Sequence, residues 1–293
     1  MLHELRRPGH SRLIAGVAGL ASIAVACGTG SAGPASAPAA PASTTAPSTG
    51  DQAAAPAVVV VYLLRGGHPA PVARTVRAVG SPAMLAVTGL LQPLTRAEQG
   101  SGLTTQIPTA AGLLGVTVAG ARATVDLTHG FAAAGSLASV RRRVAQVVYT
   151  LTRLPGIERV GFRIDGRTPT SIGGRVAVVP AIGRAAFEQL AAPILVESPL
   201  PGAAVASPLR VTGSANVFEA TFVLEVTDWD GRVIADRTVH ATSGTGTRGT
   251  FATAIRFTAP NAGPARIRLI AFERSAMDGS PTNEVEIPLR LGR

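Results

Sequence analysis

Two carboxylates, Glu219 and Glu225, lie within an apolar stretch of this sequence, ANVFEATFVLEV (residues 215–226). A carboxylate buried among aromatic side chains has a raised pKa and can act as a general acid. Side chains alternate along a strand, and both glutamates fall on the face opposite to an apolar set. That set comprises Phe218, Ala220, Phe222, Leu224 and Val226. We therefore predict that both glutamates point away from an apolar core, where an arginine on a neighbouring strand would pair with them.

Other acidic residues could form the carboxylate pair that hydrolyses glycans. The candidates are Asp228 with Asp230, or Asp126 with Asp165. The first pair belongs to a predicted turn, DWDG, and with Asp236 it offers oxygen ligands for Ca²⁺. Its spacing does not match the calcium-binding loop pattern. We predict structural roles for these residues, with no metal and no cofactor.

Histidine is the usual general base of a Ser-His-acid hydrolase. After the first 26 residues the chain has only His68, His129 and His240, and the nucleophile motif G-x-S-x-G does not occur. Each histidine is more simply explained as a structural or surface residue. The sequence therefore predicts a protein that is not an enzyme.

The positive charge of the chain is spread along its length. The formal net charge is +10, and all 27 basic residues are arginine. The one cluster, Arg141–Arg143, falls between Val140 and Val144 on a predicted helix, so we expect it to line the solvent face. Such a surface favours anionic partners such as phospholipid headgroups or acidic wall polymers. Nucleic acid is not an expected partner, because the chain carries an export signal.

Residues 1–26 have the pattern of a signal peptide. Arg6, Arg7 and Arg12 precede the apolar run of residues 13–26. As a helix this run spans about 21 Å, less than the roughly 30 Å hydrocarbon core of a bilayer. A cleaved signal peptide is therefore favoured over a permanent membrane helix.

Cys27 is the only cysteine and directly follows the signal peptide, in AVACGTG. A single cysteine cannot form an intramolecular disulfide. Its context resembles a bacterial lipobox, which implies that Cys27 carries lipid, with palmitate among the acyl chains, and anchors the protein at the extracytoplasmic face of the cell membrane. Residues 27–56, rich in Ala, Pro, Ser and Thr, are predicted to form a disordered tether.

Residues 57–170 alternate strand and helix patterns. Strands are predicted over 57–64, 113–119, 121–128 and 158–165. Ser81-Pro82 suits the start of one helix, and 136–154 carries an apolar stripe at helical spacing. This order predicts a small α/β layer with helices packed on a sheet.

Several segments of this region match one family. They are VVVYLL, LLQPLTRAEQGSGLTTQIP, GVTVAGARATVDL, QVVYTLTRLPGIERV and FRIDGR. Together they resemble a GerMN domain, found in sporulation and spore germination proteins and in envelope lipoproteins. The resemblance implies a part in envelope complexes that assemble at the membrane.

Residues 171–193 are predicted to be a connector with a short helix over 184–191. Residues 194–293 then show seven short strands with turn signals between them: 194–197, 209–213, 217–227, 232–240, 250–257, 265–274 and 284–291. This number of strands in about 100 residues predicts an immunoglobulin-like sandwich. The segments SPLPGAAV, PLRVTGSANVFEATFVLEVTDWDGRVI, GTFATAIRF and VEIPLRL resemble the immunoglobulin-like domain of bacterial spore germination proteins. That resemblance implies an interaction module and transfers no catalytic residue.

The sequence as a whole predicts an α+β protein of two domains on a lipid anchor, acting as a non-enzymatic interaction or scaffold protein of the cell envelope. The alternatives are a module that binds peptidoglycan or another wall polymer and, less favoured, a glycan hydrolase. A protein partner predicts an exposed apolar patch. Wall binding predicts a groove with arginines and exposed aromatic residues such as Trp229. An enzyme predicts a cleft with clustered acids or a histidine-centred network.

Overall fold

The computed structural model of the chain describes residues 55–260 and 263–292, whose side chains pack into two hydrophobic cores. The predicted signal peptide, Cys27 and all but the last two residues of the tether lie outside the described residues. None of the helices in the described ranges has the length and apolar character needed to cross a membrane.

The first core is built from three small sheets and the helices packed on them. The elements in chain order are β1 (Pro56–Arg65), β2 (His68–Arg77), α1 (Pro82–Leu91), α2 (Arg96–Gly100), β3 (Leu103–Thr104), β4 (Leu113–Ala119), β5 (Arg122–Leu127), α3 (Leu137–Leu151), β6 (Arg159–Ile164), β7 (Ser171–Ile172) and β8 (Val176–Ala177). The two larger sheets have the strand orders β2-β1-β3 and β4-β5-β6, and β7 pairs with β8 in a separate two-stranded sheet. Strands β5 and β6 are parallel, and α3 provides the crossover that a parallel pair requires. The predicted α/β character is confirmed, with three small sheets in place of one.

Strand β2, HPAPVARTVR, is absent from the strands predicted from the sequence, and its two prolines are unfavourable in a central strand. The structure places it at the edge of its sheet, where missing backbone donors are tolerated. Gly66 and Gly67 have φ angles of 57° and 86°, and Arg65 pairs with His68 across them. This two-residue turn with two positive φ values is the favoured connection of a hairpin. His68 therefore begins a strand and does not lie in a loop.

Both predicted long helices are confirmed, with their N-caps. The Ser81 hydroxyl accepts a hydrogen bond from the Met84 amide at 3.2 Å, and Pro82 occupies the first turn. The Ser136 hydroxyl accepts from the Ser139 amide at 3.1 Å. The apolar stripe of α3 is buried at Val140, Val144, Val147 and Leu151, as its spacing predicts.

Gly89 allows helix α1 to lie close to the sheet. A Cβ at this position would lie 2.7 Å from Cγ2 of Val59 and 3.3 Å from methyl groups of Val61 and Val76. We expect Gly89→Ala to lower the free energy of unfolding by about 1–3 kcal/mol, the usual cost of overpacking, despite the better helix propensity of alanine. Urea unfolding measures the difference. Gly100→Ala, at a helical glycine with open space around it, is the matched control; equal midpoints for both variants would refute the expectation.

The second core lies between two sheets that are antiparallel except for the short parallel pair of β10 with β16. Its strands are β9 (Ile194–Ser198), β10 (Ala204–Val205), β11 (Leu209–Ala215), β12 (Thr221–Thr227), β13 (Val233–His240), β14 (Gly249–Ile255), β15 (Arg266–Arg274) and β16 (Pro281–Leu291). The sheets have the orders β10-β16-β15-β12-β13 and β14-β11-β9. Phe222 and Phe251, one from each sheet, meet edge to face with centroids 4.8 Å apart. All seven predicted strands are present, and the short β10 is additional.

The stretch that contains Glu219 and Glu225 is only partly as predicted. Phe222, Leu224 and Val226 are buried and Glu225 points outward, but Phe218 is 65% exposed. The strand begins at Thr221, because Glu219 and Ala220 have positive φ values of 50° and 55°. Thr245 holds this turn: its amide donates to the Val217 carbonyl and its hydroxyl accepts from the Glu219 amide. The alternation that was extended to Phe218 is therefore wrong.

Candidate functional site

The predicted acid–base residues do not converge on one catalytic centre in the described part of the chain. Nδ1 of His68 lies 2.9 Å from the Leu190 carbonyl oxygen, and Nδ1 of His240 lies 3.0 Å from the Thr221 hydroxyl. His68 begins β2 and His240 ends β13, so the two histidines lie in different domains. Each of them has a hydrogen-bonding partner within the fold.

Asp126, His129 and Asp165 do come together, at the carboxyl ends of the parallel strands β5 and β6. Asp126 Oδ1 accepts from the Gly166 amide at 3.0 Å, and Asp165 Oδ1 accepts from the His129 amide at 3.2 Å. His129 Nδ1 lies 3.6 Å from Asp165 Oδ2, with side-chain exposures of 89% and 53%. The carboxylates hold loop amides on an open surface, which suits turn stabilisation.

The Asp228–Asp230 segment forms the predicted turn. Asp228 Oδ1 accepts hydrogen bonds from the amides of Asp230 at 3.0 Å and Arg232 at 2.9 Å. Asp236 lies on β13, directly opposite Glu225 of β12. Residues 55–260 and 263–292 contain no group of three or more His, Cys, Asp or Glu side chains arranged to hold a metal ion.

Glu225 has no arginine opposite it. Its neighbours across the sheet are Asp236 and Ile270, and no ion pair involves Glu225 within the described ranges. The expected pairing with a neighbouring arginine is therefore wrong. Glu225 is half-buried and lies on the face of β12 opposite to Phe222, Leu224 and Val226, so it does not lie among the aromatic side chains of the core.

The arginines of α3 do not line a solvent face, contrary to the prediction. Arg143 is buried and donates to the carbonyl oxygens of Phe131 at 2.8 Å and Ala133 at 2.7 Å. Burial lowers the pKa of its guanidinium. Arg142 donates to the Gly67 carbonyl at 3.1 Å, and Arg141 donates to the Ala186 carbonyl at 3.0 Å. Long side chains bend back over the protein and satisfy loop carbonyls, so the run is structural.

The two cores meet along strand β9, which contributes to both. Leu195 belongs to the first core, whereas Ile194 and Val196 belong to the second. Alternation along the strand makes this division necessary, because successive side chains point to opposite sides. The next residue on the Leu195 side is Glu197, which therefore points toward the first core.

Glu197 binds two residues of the first core. It accepts hydrogen bonds from the Tyr62 hydroxyl and from Nη1 of Arg184, the latter at 2.6 Å. The Arg184 guanidinium lies over the rings of Tyr149 at 4.7 Å and Tyr62 at 5.3 Å, a favourable cation–π arrangement. We call these four residues, Tyr62, Tyr149, Arg184 and Glu197, the joint cluster.

The pKa shifts in the joint cluster show which of its groups are ionised and which are neutral. Burial alone would raise the pKa of Glu197, but Arg184 and the Tyr62 hydroxyl hold it below its usual value. Burial, followed by the Glu197 charge, raises the pKa of Tyr62. The cluster is therefore a carboxylate–guanidinium pair between two neutral phenols.

Tyr62 is held in place by helix α3. Its amide donates to the Thr150 hydroxyl at 2.9 Å, and its carbonyl accepts from Nε2 of Gln146 at 3.0 Å. These two polar side chains are fully buried, and they supply Tyr62 with backbone partners on the side of β1 away from β2, where β3 reaches only Leu64 and Arg65. A second ion pair supports the same joint: Arg248 lies 3.0 Å from Glu188, which also accepts from Asn216 at 3.0 Å.

A separate groove of about 490 Å³ lies on the second domain beside Trp229. We call it the Trp229 groove. The side chains that give it chemical character are Trp229, Arg266, Arg268 and Arg290, with Pro264 and Pro288 between them. The indole is 48% exposed and packs on Gly263, where a Cβ would overlap the ring. Of the three structural signatures expected from the sequence, this groove matches the one for a wall polymer.

The three arginines of the groove were not singled out from the sequence, although a signal was present. In ARIRL and PLRL the arginines alternate with buried Ile267, Leu269 and Leu289. That alternation places the arginines on the outer face. The alternation within each strand does not show that β15 and β16 are neighbours. Their pairing brings Arg266 opposite Arg290.

Comparison with known proteins agrees with both predicted resemblances. Residues 60–170 match the family model described as "Sporulation and spore germination", and residues 193–280 match "Immunoglobulin-like domain of bacterial spore germination". No curated protein matches the chain.

Two solved structures of one protein from Bacillus subtilis are similar to this chain. The first GerMN domain of the sporulation protein GerM is 20% identical over 44% of this chain and 98% of its own, with a TM-score of 0.35. The tandem GerMN domains of GerM are 16% identical over 69% of this chain and 62% of theirs, with a TM-score of 0.38.

Proposed function

We propose that this chain, in which a GerMN domain is followed by the immunoglobulin-like domain of bacterial spore germination proteins, is a lipid-anchored, non-enzymatic assembly module of the cell envelope. It would act on the extracytoplasmic face of the membrane. The two families support an association with sporulation or germination complexes.

The joint cluster is the observation that carries this proposal. Two domains of different type share strand β9, and an ion pair with two tyrosines fixes one against the other. A module that holds partners at set positions needs such a rigid connection, whereas hydrolysis would need converging acids or a histidine network. The candidate acids Asp126, Asp165 and Asp228 accept hydrogen bonds from turn and loop amides instead.

The scaffold proposal is tested by cross-linking the anchored chain in cells. Photo-reactive residues replace Val58 of the first domain and Phe218 of the second, both exposed. We expect one envelope protein to be captured from at least one position, and the capture to weaken in a Glu197→Gln variant that loosens the joint. If the parent and the Glu197→Gln variant capture the same many abundant proteins to the same extent, the chain is not a specific scaffold.

The lipid anchor rests on Cys27 and is tested separately. Cys27→Ser is expected to move the protein from the membrane fraction to the soluble extracytoplasmic fraction, and to abolish labelling by palmitate, because serine has no thiol to acylate. Loss of stable anchoring should be nearly complete, since two or more acyl chains are what hold a protein on a bilayer. Ser31→Ala, four residues downstream, is the control. A Cys27→Ser protein that stays membrane-bound would exclude this anchor.

A further inference from the structure

The Trp229 groove is unusual in charge as well as in shape. Arg266 of β15 lies directly opposite Arg290 of β16, on the face of the sheet away from the core. Like charges at directly opposed positions destabilise an antiparallel pair. Arg268 lies two residues along the same face and opposite Pro288. The sheet thus keeps three guanidinium groups together at a cost in stability.

Little in the described part of the chain neutralises these charges. Arg268 has a loose, half-exposed contact with Glu286 at 3.6 Å. Arg290 donates to the carbonyl oxygen of Gly202 at 3.1 Å, and Arg266 takes part in no ion pair of residues 55–260 and 263–292. Asp228 lines the groove, but its Oδ1 already accepts from two backbone amides of its own turn.

The indole of Trp229 and the arginines beside it together indicate the chemistry of a ligand for this groove. An exposed tryptophan offers a flat apolar face with a polar edge, which stacks well on the C–H face of a sugar ring. Guanidinium groups bind carboxylates and phosphates with two parallel hydrogen bonds. A ligand that satisfies both is a sugar polymer bearing anionic groups, and a groove open to the surface can admit a polymer along its length.

We propose that the Trp229 groove binds an anionic glycan of the cell wall, with Trp229 stacking on a sugar ring and Arg266, Arg268 and Arg290 holding its carboxylates or phosphates. This binding adds a ligand to the envelope module proposed above. It does not depend on Cys27, so failure of the anchor and failure of the groove are separate results.

The test uses the chain from residue 27 onward with Cys27→Ser, sedimented with isolated cell-wall sacculi in 0.15 M and 1 M salt. We expect the protein to pellet in both, because a stacked ring and bidentate contacts survive the roughly 3 Å Debye length at 1 M. Trp229→Ala and the double variant Arg266→Gln/Arg268→Gln should each weaken binding at least about tenfold. Loss of all binding at 1 M salt would overturn the proposal by assigning it to diffuse charge.

Matched controls keep the result specific. Phe218→Ala removes another exposed aromatic ring, and Arg210→Gln removes an exposed arginine of β11 outside the groove. Both should bind as the parent does. Thermal unfolding checks that each groove variant is folded. Groove variants that are folded and still bind sacculi like the parent would overturn the proposal.

Two further samples identify the anion and exclude a membrane ligand. Sacculi extracted with acid to remove phosphate polymers retain binding if carboxylates of the glycan are recognised, and lose it if phosphates are; both outcomes support an anionic glycan. Vesicles containing phosphatidylglycerol should not compete with sacculi for the groove. Binding of those vesicles through Trp229, without binding to sacculi, would replace the glycan by a lipid headgroup and refute the proposal.

Discussion

Glu98→Ala is expected to lower the free energy of unfolding by about 3–5 kcal/mol, the range found when one partner of a buried ion pair is removed. Glu98 binds Arg74 through two contacts of 2.8 Å, with side-chain exposures of 5% for Arg74 and 11% for Glu98. Burial alone would raise the pKa of Glu98, but Arg74 and Thr95 lower it. Without the carboxylate, Arg74 remains buried with an uncompensated charge.

The same substitution also removes a helix cap. Glu98 accepts from the Thr95 amide at 2.7 Å while the Thr95 hydroxyl accepts from the Glu98 amide, which closes a capping box at the start of α2. Arg74 in turn donates to the carbonyls of Gly89 and Gln92 at the end of α1. One ion pair therefore holds the end of one helix and the start of the next.

Chemical unfolding at neutral pH measures this effect. Glu158→Ala, at an exposed glutamate of the same domain, should change stability by no more than about 0.5 kcal/mol. Replacing both partners, as Arg74→Met with Glu98→Leu, should recover part of the loss because no charge is left buried. If Glu98→Ala lowers the free energy of unfolding no more than Glu158→Ala does, the Arg74–Glu98 pair is not a major support of the fold.

Glu197→Gln is the second substitution with a large expected effect, and it has a signature in pH. Glutamine keeps the shape of Glu197 but leaves Arg184 without a counter-charge in a mostly buried position. We expect a loss of about 2–3 kcal/mol at pH 7, less than for Glu98 because Arg184 is 27% exposed. Glu225→Gln, an outward carboxylate outside any ion pair of the described residues, should stay close to wild type.

The sign of the pH dependence follows from the lowered pKa of Glu197. Between that pKa and the ordinary value of 4.5, the unfolded chain binds a proton that the folded chain does not. The stabilisation is therefore complete above pH 4.5 and is lost as the pH falls through the folded-state pKa. Glu188 and Glu98 act in the same direction, since their pKa values are also lowered.

Urea unfolding at a series of pH values from 7 to 3 separates these contributions. Wild type should lose stability below about pH 4.5. The Glu197→Gln variant should have a lower free energy of unfolding at pH 7 and lose less of it between pH 7 and pH 3, because it has one fewer carboxyl group with a lowered pKa. A variant whose stability falls in parallel with wild type would show that Glu197 contributes nothing to the acid sensitivity of the protein.

Periodicity predicted most of this architecture, because burial is a local pattern. The stripe of α3 and the alternation of β12 from Phe222 onward were both correct. The errors arose where the backbone turns through rare conformations, as at Glu219 and Ala220, whose positive φ values leave no mark in residue type. The hairpin between β1 and β2 has a turn signal in the sequence, Gly66-Gly67. Pro69 and Pro71, which follow it, are unfavourable in a strand and so work against predicting β2.

Contacts between residues that are far apart in the sequence could not be predicted from local sequence patterns. Glu197 binds Tyr62, 135 residues earlier, and nothing near either residue indicates the other. Arg143 shows the same limit, since its position on α3 placed it correctly on the helix but could not reveal the loop carbonyls it reaches. The Trp229 groove is intermediate: the sequence analysis named the indole but not the arginines, whose alternation in ARIRL and PLRL was a usable signal, and only the pairing of β15 with β16 joins them.

Strand β9 gives the chain a property that neither family match shows by itself. The match to the immunoglobulin-like family begins at residue 193, yet the Leu195 side chain fills the core of the preceding domain. A fragment ending at that boundary would expose a hole where Leu195 packs, and a fragment beginning there would expose Leu195 and Glu197 to water. The residue at which the family match begins is thus not a boundary between segments that fold alone, and calorimetry of the whole chain should record one melting transition in place of two.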